Sequence, residues 1–277
     1  AVASQRRINE FLLREPSIKD NAGAQPLVLK GQIKFSSASF IYKDTGIQAI
    51  KNLNLTILAG ERIAVIGRTG SGKSTLAQML LRMYDLDKGE LLFDGVPAKE
   101  ITLNSLRNGI SYVPQDIFLF SDTIENNIRF GLQKATKEEV IAAAKMAGID
   151  SEIMQFPEGY QTMVGERGVT LSGGQKQRIS IARALIKEAR IVVFDDCLSA
   201  VDAKTEREIA DRMQPFLEGK TSIIITHRIF SLFQFDRILV MEEGELAESG
   251  THEELMAKKA LYYDMYVRQQ LQDADRP

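Results

Sequence analysis

The stretch GRTGSGKST, Gly67 to Thr75, follows directly on the apolar run RIAVI and opens a segment in which Leu76, Met79, Leu80 and Met83 recur at the helical period. A strand, a glycine-rich loop and a helix in that order form a cradle for phosphate. Glycines at 67, 70 and 72 turn backbone N–H groups toward an anion with no Cβ in the way, and the helix N-terminus adds its dipole. Lys73 reaches the β- and γ-phosphates of a nucleotide, and Ser74 is a ligand for Mg²⁺. The expected nucleotide contacts are therefore Gly67, Thr69, Gly70, Ser71, Gly72, Lys73, Ser74 and Thr75. The bare string also describes a flexible glycine turn, but the strand before it and the helix after it argue against that.

A loop that binds ATP needs an acidic partner for its metal at the end of another buried strand. Asp195, after the run Ile191 to Phe194, fits that place and is the expected metal ligand with Ser74. An apolar run that ends in Asp is common and often marks only a strand end. A second carboxylate, Asp196, stands beside it, and whether it does chemistry is the question the sequence raises.

Composition limits the alternatives. A chain of 277 residues, 44% hydrophobic and 26% charged, is expected to be globular, as one large domain or a core domain with an insertion. Its net charge of −2 provides no electrostatic footprint for a polyanion, which disfavours nucleic acid as the main partner. The single Cys, Cys197, allows no internal disulfide and reads as a buried filler, and with two His a dedicated zinc site is not expected. No apolar run approaches the ~18 residues that span a bilayer, and the N-terminus lacks a signal-peptide pattern. The expectation is a chain of cytoplasmic character.

Residues 1 to 30 open with a helical pattern around Ile8, Phe11 and Leu12, then turn polar with Pro16, Asn21, Gly23 and Pro26, as a linker does. From Gly31 the period becomes two, through Ile33, Phe35, Phe40 and Tyr42 and again through Leu53, Leu55 and Ile57, which predicts an antiparallel pair. ELLFDGV carries a turn at Asp94-Gly95. RIVVFDD and SIIITH read as buried strands, each preceded by a helical segment, so a largely parallel sheet covered by helices is expected. Between Pro114 and Val164 the pattern is helical, with capping boxes predicted at Asp122/Glu125 and Thr136/Glu139, and Gly148 as a stop. By itself SGG is a capping turn, with Ser172 as N-cap, and Thr251 is a further expected cap in front of His252.

LSGGQKQR (Leu171 to Arg178), with YVPQD (Tyr112 to Asp116), LSAVD (Leu198 to Asp202) and ITHR (Ile225 to Arg228), resembles the nucleotide-binding domain of ATP-binding cassette (ABC) transporters over roughly residues 31 to 255. VGERG (Val164 to Gly168) and LFSDTIENNI look like the exporter branch, and the opening residues look like the cytoplasmic end of a last transmembrane helix. The resemblance implies an α/β fold: a P-loop ATPase core with a mostly parallel sheet, an antiparallel β subdomain and an inserted α-helical subdomain at about 116–168. It implies a linker at 1–30, a helical tail at 256–277, and a place on the cytoplasmic face of the inner membrane beside a transmembrane domain.

Family roles carry over by position. Tyr42 sits where exporters stack an aromatic on adenine, though it is also an ordinary strand aromatic. Gln115 matches the residue that touches Mg²⁺, and His227 the one that contacts the γ-phosphate. Leu171, Ser172, Gly173, Gly174 and Gln175 match the signature that closes over the ATP of a partner subunit, and Asp202 the loop that crosses to it. The catalytic set so implied is Asp196, His227 and Gln115.

The family places Glu after the metal-binding Asp, and this chain has Asp196. The side chain is one methylene shorter, and misplacement of a base by ~1 Å costs ~100-fold in rate. The pattern resembles the degenerate half of a heterodimeric exporter, in which a second ABC subunit carries the Glu. A regulatory nucleotide-binding module is the other reading. A soluble ABC ATPase of DNA repair or translation is disfavoured by the exporter-like motifs and the lack of a long coiled-coil insert.

Overall fold

The computed structural model describes residues 2–13, 15–165, 171–198, 203–226 and 234–274. In chain order it places α1 (Val2–Leu12), β1 (Ile33–Ile41), β2 (Gln48–Ile57), β3 (Arg62–Gly67), α2 (Lys73–Leu80), β4 (Lys88–Phe93) and β5 (Val96–Pro97). There follow α3 (Leu103–Asn108), β6 (Ile110–Val113), α4 (Ile124–Arg129), α5 (Lys137–Met146), α6 (Asp150–Ile153), α7 (Gly173–Leu185) and β7 (Ile191–Asp195). The last elements are α8 (Ala203–Leu217), β8 (Thr221–Ile225), β9 (Arg237–Glu242), β10 (Glu245–Gly250), α9 (His252–Lys258) and α10 (Leu261–Ala274).

The period-two stretches form the expected antiparallel sheet, in the order β2-β1-β4-β5, with Ile33 opposite Ile57 and Phe35 opposite Leu55. Asp94 and Gly95 join β4 to β5 with φ of 51° and 83°, the left-handed pair that a tight hairpin needs. The second sheet runs β10-β9-β3-β8-β7-β6 and is parallel apart from the edge strand β10.

Alternation along the parallel strands explains why they read as unbroken apolar runs. Ile63 and Val65, Ile191 and Val193, Ile223 and Ile225, and Leu239 and Met241 face one core, shared with α2 and the antiparallel sheet. Val192, Phe194 and Ile224 face a second core with α4, α5, α7 and α8. Ala64, Ile66, Ile238 and Val240 face a third with Leu255 and Tyr262 of α9 and α10. Both faces are covered, so these apolar strand residues are buried, and a Val or Ile so buried contributes roughly 1.5–3 kcal/mol.

Side-chain caps at Thr102, Thr123, Thr136, Ser172 and Thr251 set the starts of α3, α4, α5, α7 and α9. Thr136 with Glu139, Ser172 with Gln175 and Thr251 with Glu254 each form a reciprocal capping box, and Gly148 sits at φ 69° just past α5. One expected box is corrected. The N-cap of α4 is Thr123, which accepts from Asn126 N, while Asp122 accepts from Thr123 N at 2.7 Å and Asn126 Nδ2 at 2.8 Å. Glu125 pairs instead with Arg129 and accepts from Gln161. Met83 is also not on the helical face: α2 ends at Leu80, Arg82 turns left-handed at φ 46°, and Met83 is exposed. His252, the first residue of α9, has Nδ1 2.7 Å from the Tyr262 hydroxyl and so ties α9 to α10. Cys197 is buried as expected, and that burial pushes its thiol up.

Candidate functional site

The carboxyl ends of β3, β8, β7 and β6 lie side by side, so Gly67, Ile225, Asp195 and Val113 emerge on one edge of the parallel sheet. This is the edge at which open α/β sheets bind ligands. The phosphate loop leaves β3 in the middle of it. A Cβ at Gly67 would lie 2.2 Å from the Met241 carbonyl, and one at Gly72, where φ is 99°, would lie 2.4 Å from the Ala49 carbonyl. Gly72 is also the N-cap of α2 and contributes no side-chain acceptor to the first turn. Gly67 and Gly72 are thus required by close packing of the loop against its neighbours.

Lys73 is 4% exposed, and its ammonium donates to the carbonyls of Gly67 at 2.8 Å and Arg68 at 2.9 Å. Burial lowers its pKa, opposed by the charges of Asp195 and Asp196. The loop therefore brings both carboxylates within electrostatic reach of the lysine. Ser74 Oγ donates to Asp195 Oδ1 at 3.2 Å, and the Tyr112 hydroxyl donates to Oδ2 at 3.4 Å. Asp195 is 2% exposed, and burial raises its pKa, against the hydrogen bonds from Ser74 and Tyr112 and the charge of Lys73.

This donor set fits a hard divalent cation: a serine hydroxyl next to a buried carboxylate short of positive charge, all ligands oxygen. The loop fits a phosphate group as well, since Ser71 Oγ is buried with no hydrogen-bond partner among the described residues. Asp196 follows at φ 46°, a left-handed position that Asp tolerates, with its N–H donated to Ile225 O at 2.9 Å. Gln115 is exposed two residues beyond the end of β6, whose register sets Val113 against Phe194. It is on the same edge as the two carboxylates.

Tyr42, just past β1, stands against α2. Its hydroxyl is 3.0 Å from Thr75 Oγ1 and donates to Gln78 Oε1 at 3.1 Å, and its ring packs edge-on against Phe40 and Tyr84. Leu171 belongs to the second core, on the face of the sheet opposite α2. Ser172 and Gly173 are exposed at the start of α7, where Ser172 Oγ accepts from Gln175 N and Gln175 Oε1 accepts from Ser172 N. The first turn that carries Gly173, Gly174 and Gln175 is braced from α6. Glu152 accepts from Gln175 Nε2 at 3.1 Å and from Arg178 at 2.5 and 3.1 Å. Burial raises the Glu152 pKa, but hydrogen bonds from Arg178 and Gln175 outweigh it, and the net shift is downward.

The model of the family described as "ABC transporter" matches residues 50–199. The chain belongs to the ABC transporter family. This ABC domain is 45% identical over 273 residues to a probable multidrug resistance ABC transporter ATP-binding/permease protein, YheI, of Bacillus subtilis (strain 168), covering 99% of the chain and 47% of the relative. It is 43% identical to the mitochondrial iron-sulfur clusters transporter ATM1 of Gibberella zeae, covering 92% of the chain and 37% of that protein. A solved bacterial Atm1-family ABC exporter with ATP bound superposes with a TM-score of 0.91 at 38% identity, over 97% of the chain and 47% of that structure. The chain thus spans about half the length of the relatives it matches or less. Its fold is that of the exporter's ATPase part.

Two expected members of the ABC site, His227 and Asp202, lie outside the described residues, as does most of VGERG. Two side chains that the sequence did not mark also belong to it. Tyr112 was visible only as part of YVPQD, and Glu152 sits 23 residues before Gln175 with no local pattern to flag it.

Proposed function

We propose that this ABC domain binds Mg-ATP at an interface with a second ABC subunit and so drives or gates export through a transmembrane domain. The reading places it on the cytoplasmic face of the inner membrane, with residues 31–255 as the nucleotide-binding domain, 116–168 as its helical subdomain, 1–30 as a linker and 256–277 as a tail. The supporting observation is the constellation of Lys73, Ser74, Asp195 and Asp196 at one sheet edge, with the signature on the opposite face from the phosphate loop's helix. A signature so placed serves the ATP of a neighbour.

In this reading the loop amides from Gly67 to Thr75 wrap the phosphates, and Lys73 exchanges its loop carbonyls for β- and γ-phosphate oxygens. A magnesium ion held by Ser74, Asp195 and Gln115 would neutralise charge on those oxygens. Tyr42 presents its ring to adenine, His227 contacts the γ-phosphate and Asp202 reaches the partner. Asp196 holds the attacking water and takes its proton, but its carboxylate falls short by one methylene. Because ~1 Å of misplacement costs ~100-fold, the site binds ATP and hydrolyses it slowly. The intact Leu171 to Gln175 completes the site of a partner chain that carries Glu, making a heterodimer with one strong and one weak site.

The test is Asp196→Glu. Steady-state phosphate release under dimerising conditions should rise about 10-fold or more, and Ser172→Ala in the same background should reduce that gain. Wild-type turnover equal to that of the Glu variant would show that Asp196 is a competent base and sink the half-site reading. ATP binding with no turnover even beside a Glu-bearing partner would favour the regulatory module.

A further inference from the structure

Two hairpins of this chain turn on the same kind of left-handed pair, but only one of the two tips stands free. Asp94 and Gly95 join β4 to β5 at φ 51° and 83°, and Glu243 and Gly244 join β9 to β10 at φ 47° and 87°. Gly95 is exposed, with nothing within 4 Å of the place a Cβ would take. Gly244 is buried, and a Cβ there would lie 2.9 Å from the Ala49 carbonyl oxygen.

The phosphate loop covers this second tip on one side and β2 on the other. Gly244 N–H donates to the Ser71 carbonyl at 3.1 Å, and the Gly244 carbonyl accepts from Lys51 N at 2.8 Å, Lys51 lying on the edge strand of the antiparallel sheet. The Ala49 carbonyl that limits Gly244 also limits Gly72, the residue after Ser71, and the Met241 carbonyl of β9 limits Gly67. The hairpin and the start of β2 together wall the loop.

The bond to Ser71 fixes more than one atom. Its carbonyl and the N–H of Gly72 belong to one planar trans peptide and point in opposite directions. With the carbonyl drawn onto the hairpin tip, the Gly72 N–H is turned away from the tip, at the N-cap of α2, where the helix dipole favours an anion.

We propose that Gly244 is a positioning residue for nucleotide binding: the tip of the β9–β10 hairpin sets the Ser71–Gly72 peptide so that its N–H faces a phosphate. The inference rests on the reading that the loop from Gly67 to Thr75 binds Mg-ATP.

The test is calorimetry on the whole chain with Mg-ATP, and with inorganic triphosphate, which probes the loop without a base, through its displacement of Mg-ATP. Gly244→Ala should weaken both ligands by about tenfold, the scale of one hydrogen bond to a charged group. Gly95→Ala imposes the same left-handed strain at a tip that touches nothing, and should leave both affinities within about twofold of wild type. If Gly244→Ala does not fold, Lys51→Pro takes its place: it removes the N–H that holds the other side of the tip, is tolerated on an edge strand, and should weaken both ligands by about threefold. Wild-type affinity in the variant used, an equal loss in Gly95→Ala, or a loss for ATP alone would each overturn the proposal. A wild type that does not bind Mg-ATP refutes the assignment of the loop itself, and that result is read before any variant is compared.

Discussion

The phosphate loop and the signature turn are both short, glycine-bearing starts of helices, yet they are held in different ways. At the loop, Gly72 provides no side-chain cap, Lys73 is bonded to its own loop's carbonyls, and Ser71 Oγ has no partner among the described residues. At the signature, Ser172 and Gln175 satisfy one another, and Glu152 and Arg178 brace the turn from a neighbouring helix. The first region keeps a buried hydroxyl without a partner among the described residues and a buried ammonium held only by backbone carbonyls. The second has its own bonding closed and presents Ser172 and Gly173 at the surface, as the proposed contact with a partner's nucleotide requires.

Breaking the loop should have the largest effect. Lys73→Ala removes the buried ammonium proposed to hold the β- and γ-phosphates, and Mg-ATP affinity measured by calorimetry should fall by about 100-fold or more. Near-native affinity in that variant would rule out the assignment of the loop.

An intermediate effect is expected at the brace. Glu152→Ala leaves the Arg178 guanidinium, largely buried, without its carboxylate and should lower stability by about 1–3 kcal/mol, read as a shift in thermal midpoint. On the proposed function it should also weaken turnover of the composite site that Ser172 would complete in a partner, with a much smaller effect on Mg-ATP affinity at this chain's own loop. Equal damage to both sites would mean that the Glu152 brace does not act on the signature turn in particular.

The smallest effect is that of pH. The folded-state pKa of Glu152 is depressed, so its contribution is present above the ordinary glutamate range and is lost as pH falls through the lowered folded value. The protection factor at residues 173 to 176, exchange corrected for its intrinsic slowing in acid, should therefore fall on acidification below about pH 4.5, and Glu152→Gln should flatten that dependence. An identical pH profile in the Gln variant would assign the acid sensitivity elsewhere.

The strand, glycine loop and helix were legible because their information is contiguous: one nonapeptide sets the backbone turns and places Lys73 and Ser74 at the start of α2. The boxes at Thr136, Ser172 and Thr251 were legible for the same reason, each being a contact between residues three apart. The strands of the parallel sheet were readable from apolar runs because two cores demand burial on both faces. Tertiary structure decided the cases in which neighbours competed or distant residues met. Asp122 and Thr123 are both competent caps, and Thr123 takes the position with φ −64° and ψ 158° while Arg129 and Gln161 claim Glu125. Tyr112 on Asp195, Glu152 on Gln175 and Arg183 on Asn127 bridge 83, 23 and 56 residues. No periodicity encodes such contacts, because they depend on which faces of which elements the packing of three cores brings together.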